Sequence, residues 1–188
     1  YDKLKNYAQA RFHYRKASHL RTDDSRLYYK IAGTYYKEGQ WEACLKQLDT
    51  ALKIHPNQAE YNLMAGECKS HLGLFKDGVQ YFMAVVGNRP RNTAGWEALI
   101  RCMYNGKYFE EALVQADAAL IATPGKSLFL FYRSAILLAA GKTKEGILEL
   151  ENAMAVSPKQ LKKFVELNPS ILQHQQVVDV VARFRKRK

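Results

Sequence analysis

Histidine and cysteine are the residues of this sequence with the widest chemical repertoire, since they can move protons, attack carbonyls or ligate metals when two or three of them converge. The five histidines, His13, His19, His55, His71 and His174, are scattered along the chain. His55 precedes a proline and His71 precedes a turn, so both are expected on the surface. Cys44, Cys68 and Cys102 are too far apart in sequence for the paired spacing of a zinc site, and their odd number fits no disulfide framework. They are expected as reduced, buried thiols. No glycine-rich phosphate loop occurs; the glycines recur at wide intervals instead. The expectation is no catalytic set, no metal site, no cofactor and no enzymatic activity.

Charge offers a second chemistry. The formal net charge of +11 suggests phosphate binding until it is located. Residues 1–22 carry +5, and Arg183 with Arg185 to Lys188 carries another +5, leaving +1 for all of the chain between. A surface that tracks nucleic acid needs its cations along its length, so nucleic acid is not the expected partner. Weak binding of nucleic acid or another anionic surface through the basic ends stays as an alternative. No run of about 18 apolar residues is present to cross a bilayer.

What positions these residues is a period. Pro56, Pro90, Pro124 and Pro158 recur at a constant 34-residue step, and the only other proline is Pro169. Other columns keep the same step: Ala51, Val85, Ala119 and Ala153; Leu48, Phe82, Ala116 and Leu150; Cys44, Gly78, Ala112 and Gly146. Within each unit the spacings of three and four residues are helical, with small residues where helices approach. Gly39, Gly73, Gly106 and Gly141 fall about midway and predict a tight turn at positive φ, the third displaced by one residue. Each proline then ends the second helix, because its ring cannot donate the next hydrogen bond. Each unit reads as helix, turn, helix.

Tyr28, Ile31, Ala32, Tyr35, Gly39, Trp41, Cys44, Leu48, Ala51 and Pro56 together resemble the tetratricopeptide repeat, and Trp96, Leu99, Ala112, Ala119 and Pro124 resemble it next best. The resemblance implies an all-α fold, a right-handed superhelix of stacked antiparallel helical hairpins. Repeats are expected at 23–56, 57–90, 91–124 and 125–158. Asn62 and Lys69 depart from the pattern where aromatics are usual, and Arg133 where leucine is usual. One repeat step earlier, Ala17, Tyr14 and Ala10 match Ala51, Leu48 and Cys44, so residues 1–22 read as the remainder of an upstream repeat. The protein is therefore expected to continue before Tyr1. Residues 159–188 are expected to form capping helices with a basic tail, one presenting Leu161, Phe164 and Val165, the next Val177, Val180, Val181 and Phe184.

The resemblance also implies a function: a scaffold that holds a protein or peptide segment in a concave groove lined by the first helix of each repeat. Carried onto this sequence, the candidate groove residues are Arg26, Tyr29, Tyr36, Leu63, Glu67, Glu97, Arg101, Tyr104 and Phe131. Tyrosine and arginine are enriched among residues that dominate interface energies. The positions that grip acidic chaperone tails in clamp-type members hold Tyr29, Gly33, Met64, Ala94 and Ala98 here, so those tails are not the expected partner. An alternative is that the array serves as the interaction arm of an enzymatic or regulatory module upstream.

Overall fold

In the computed structural model, residues 6–185 are described, so Tyr1, Lys3, Lys5 and the tail Lys186 to Lys188 lie outside them. The described residues form eleven α-helices and no strand. They are α1 (Tyr7–Leu20), α2 (Ser25–Lys37), α3 (Trp41–Ile54), α4 (Ala59–His71), α5 (Phe75–Asn88), α6 (Thr93–Asn105), α7 (Phe109–Ala122), α8 (Leu128–Ala139), α9 (Thr143–Val156), α10 (Leu161–Leu167) and α11 (Gln175–Arg185). The chain divides into two compact units, Tyr1–Arg89 and Pro90–Lys188.

In the first unit α2 pairs with α3 and α4 with α5, while α1 packs on α2 and α3 on α4. Its core is built from Ala32, Cys44, Leu48, Ala51, Tyr61, Ala65 and Cys68, with Tyr35, Trp41 and Tyr81 packed against it. Small residues at 32, 44, 51, 65 and 68 let the helices approach, and the aromatic rings close the layer from outside. Cys44, Cys68 and Cys102 are buried and outside any disulfide. The hydrogen bond with Cys68 and then burial push the Cys44 thiol far above its ordinary range, so it stays protonated.

The turn inside each hairpin repeats one hydrogen-bond pattern. Gly39 N–H donates to Tyr36 O at 3.0 Å and Gln40 N–H to Tyr35 O at 3.0 Å, the paired bonds that close a helix through a left-handed residue. Gly39, Gly73 and Gly141 hold that residue's place with φ of 69°, 74° and 79°. The third turn differs from expectation. Gly106 keeps helical angles as the last cap, with φ −77°. Lys107 takes the left-handed place instead at φ 62°, and makes the same bond to Tyr104 O at 3.0 Å. The 34-residue register is strict, and the glycine beside it is one place too early.

In the second unit α6 packs with α7, α7 with α8 and α8 with α9. Ala112, Ala116 and Ala119 on α7 are fully buried, as are Phe129, Phe131 and Ile136 on α8. One departure from the repeat pattern has a visible solution. Trp96 Nε1 donates to Pro90 O at 2.7 Å, and in the first unit Asn62 Nδ2 donates to Pro56 O at the same 2.7 Å. Asparagine thus keeps the bond of the indole whose place it takes, without the ring. Arg133 is held by Asp117 at 3.2 Å and Glu149 at 3.8 Å, and its Nε is buried with no hydrogen-bond partner among the described residues. That is the worst-satisfied polar cluster described.

After α9 the period continues through a broken hairpin. α10 packs on α8 and α11 on α9. Phe164, Ile171, Val177 and Val180 are buried one 34-residue step beyond Leu130, Leu137, Thr143 and Gly146. Pro169 interrupts the first helix of this pair after seven residues, because it lacks the N–H that α10 would need to continue. A 3-10 segment from Pro169 to Gln173 carries on, capped by Asn168, whose side chain accepts from Ser170 N–H.

Candidate recognition surfaces

The first helices of the hairpins carry all nine residues expected to line a groove, and the two units treat them differently. In the first unit α2 and α4 stand one repeat step apart in sequence and meet through their side chains. Residues 26, 29, 33 and 36 share one face of α2 because helical neighbours recur at three and four. Arg26 is exposed at the start of that face. Tyr29 is half-buried and stacks on Tyr61 of α4, ring centroids 4.8 Å apart. Tyr36 donates its phenol hydrogen to Glu67 Oε2 at 2.8 Å, and its ring meets Trp41 edge-on at 5.2 Å. Leu63 and Glu67 are half-exposed on α4.

These bonds set the electrostatics. Burial first, then Glu60 and Glu67, raise the Tyr29 phenol above its ordinary pKa of 10.0. Burial and the hydrogen bond to Glu67 raise Tyr36 further. Both phenols are neutral donors across the physiological range. Trp41 also stacks flat on the exposed His71, centroids 4.1 Å apart at 6°.

In the second unit the chain covers its own candidates. Glu97 Oε1 accepts from Lys163 Nζ at 2.8 Å and from Tyr132 Oη at 3.2 Å. Tyr104 Oη accepts from Asn168 Nδ2 at 2.9 Å. Phe131 is fully buried with its ring edge against Phe164, centroids 5.9 Å apart. Only Arg101 of this set stays exposed. Lys163, Phe164 and Asn168 were not among the groove residues expected from sequence. Lys163 and Asn168 reach partners nearly two repeat steps back, where a neighbour-to-neighbour pattern carries no signal.

Two other clusters lie outside the expected set. Ser25 Oγ lies 2.7 Å from His55 Nδ1 and 3.0 Å from Tyr61 Oη, buried at the start of α2. His55 itself is exposed, as its place before Pro56 suggests. On α1, Phe12, Arg15, Lys16 and His19 join Arg11 and Tyr35 around an open cleft of about 780 Å³. Arg11 in that cleft is already paired with Glu38 at 2.6 Å and lies over the Tyr35 ring. Arg15 donates to the Tyr35 hydroxyl at 2.6 Å. At the other end Arg183 pairs with Glu151. Among the described residues no group of three or more histidine, cysteine or acidic side chains is arranged to hold a metal, and no helix is long and apolar enough to cross a membrane.

Hairpins closed by one recurrent turn and repeated at a 34-residue step define a helical-repeat solenoid fold. The tetratricopeptide repeat model matches residues 3–67, and the same hairpin fold runs on beyond it. The chain is similar to YrrB, a TPR protein with an unusual peptide-binding site, at 18% identity and a TM-score of 0.70, covering 85% of this chain and 82% of that one. It is similar to MamA at 12% identity and a TM-score of 0.74, covering 86% and 94%. It is also similar to TTC0263, a thermophilic TPR protein of Thermus thermophilus, at 20% identity and a TM-score of 0.58, covering 86% and 90%. At such identities the likeness is one of fold. No curated protein sequence matches the chain.

Proposed function

We propose that the chain is a protein-binding scaffold whose first unit receives a protein or peptide segment along the α2/α4 face. Tetratricopeptide proteins generally mediate protein–protein interaction, which supports the broad reading. The observation that carries the finer one is the state of the tyrosines. Tyr29 and Tyr36 are partly exposed and already held in place, one by a stacked ring and the other by a carboxylate. Rings fixed before binding lose little entropy when a partner arrives, and they offer a large surface with a polar tip. Arg26, Leu63 and Glu67 complete the row. Glu97, Tyr104 and Phe131 of the second unit are already bonded or packed within their own chain. Arg101 is its one exposed candidate.

The similarity to a fold relative with a peptide-binding site favours a peptide-like occupant. Selecting random twelve-residue peptides on the whole chain tests the reading. Peptides recovered should lose roughly 30-fold or more in affinity with Tyr29→Ala or Tyr36→Ala, the size of a hot-spot loss. Arg101→Ala should leave them bound. Equal binding by the tyrosine variants would remove the groove from this face.

A further inference from the structure

Within that face, one place lacks a side chain. Gly33 sits in the middle of α2 between Tyr29 and Tyr36, and a Cβ built on it would meet nothing within 4 Å. Glycine in a helix interior costs stability relative to alanine, so an unfilled glycine there leaves space at a thermodynamic loss. The space is open, and the groups bordering it are known. Tyr29 and Tyr36 lie one turn to either side on the same face, at i−4 and i+3. Glu67 stands one repeat step on, at the matching level of α4. Its carboxylate is oriented by the Tyr36 hydroxyl at 2.8 Å.

The charge around this notch is one-sided. Glu60 and Glu67 flank Leu63 on α4, and both act on the Tyr29 phenol. The lysines of α2 turn the other way, Lys30 over the Tyr14 ring at 5.7 Å and Lys37 over the Tyr7 ring at 5.5 Å, both on α1. Lys69 is paired with Asp77. Among the described residues no cation pairs with Glu67, whose hydrogen-bond partner is a neutral phenol. Arg26 begins the face two helical turns before Gly33, roughly 10 Å along the helix.

We propose that the notch over Gly33 receives a cationic side chain, arginine or lysine, of the segment bound along the α2/α4 face. The faces of Tyr29 and Tyr36 would hold the cation within ring distance, and Glu67 would take its charge. An arginine suits the place better, since its planar guanidinium can lie against a ring while one edge meets the carboxylate. This deepens the scaffold reading and rests on it.

Two probes test it on the whole chain by amide chemical shifts: N-acetyl-arginine amide and its neutral isostere N-acetyl-citrulline amide. The expected result is saturable shifts at Gly33, Tyr36 and Glu67 with the arginine probe and none with citrulline. Glu67→Gln, which keeps an acceptor for Tyr36, should weaken the arginine probe by roughly tenfold, the worth of a charge-assisted bond. Gly33→Leu should fill the notch and remove binding while raising or keeping Tm. Equal response to both probes, or arginine binding unchanged by Glu67→Gln, overturns the proposal. The twelve-residue peptides separate the two readings. Peptides that need Tyr29 and Tyr36 yet carry no enriched basic residue and ignore Glu67→Gln would keep the groove and discard the cation notch. Basic residues enriched at one fixed position, lost with Glu67→Gln, support it.

Discussion

At the scale of single residues, the most informative position is Lys107, an L-residue carrying out a turn that glycine performs in the other three hairpins. A side chain at left-handed angles costs about 1 kcal/mol or more, because its Cβ crowds the following carbonyl. Lys107→Gly should therefore raise stability by about 1 kcal/mol, read as a higher denaturation midpoint with an unchanged slope. No gain would mean that the lysine is relaxed there. Gly33 is the converse case. It lies inside α2 with open surroundings, so Gly33→Ala should stabilise by about 0.5–1 kcal/mol through helix propensity. Two shielded phenols, one half-buried and one fully buried, set a limit on alkaline stability. Tyr36 and Tyr132 titrate above 10.0 when folded, and each is driven there by burial first. The folded state therefore keeps protons that the unfolded chain has lost. Their contribution is whole below pH ~10 and declines as pH rises above it toward the folded values. A Tm that falls from pH 9 to 11, and falls less in Tyr36→Phe, is the expected outcome.

At the scale of elements, the repeats tolerate poor matches to the pattern when one bond survives. Asn62 replaces a ring but keeps the bond to the Pro56 carbonyl, so Asn62→Leu should cost about 1–3 kcal/mol by leaving that acceptor unpaired. Thermal melts of the variant read this directly. Packing is less forgiving. Ala112 on α7 is fully buried where two helices meet, and Ala112→Leu should cost roughly 1–3 kcal/mol by forcing them apart. The broken helix α10 shows an element placed by its contacts and not by its own propensity. Seven residues are too few for a helix to persist alone. Phe164, fully buried against Phe131, anchors it, with Lys163 and Asn168 bonded to Glu97 and Tyr104.

At the scale of the whole molecule, each unit has its own core and its own tryptophan, Trp41 in the first and Trp96 in the second. Stability in such arrays is close to a sum over repeats and their neighbours, so damage stays local. With Ala112→Leu in single-tryptophan backgrounds, the Trp96 transition should move to lower denaturant by more than the Trp41 transition. Equal shifts would mean that the chain unfolds as one cooperative body. The 34-residue proline step, with the three- and four-residue spacings and the glycines inside each unit, determined the helical class and the hairpin order, because backbone geometry repeats with the period and is local in sequence. The resemblance to the tetratricopeptide repeat put the candidate groove positions on the first helices. It did not determine which of them would be free. That was decided by Lys163, Phe164 and Asn168 reaching back to Glu97, Phe131 and Tyr104. Those contacts depend on where distant segments come to rest in space. A periodic pattern records what every repeat shares, so it is silent on the contacts that only one repeat makes.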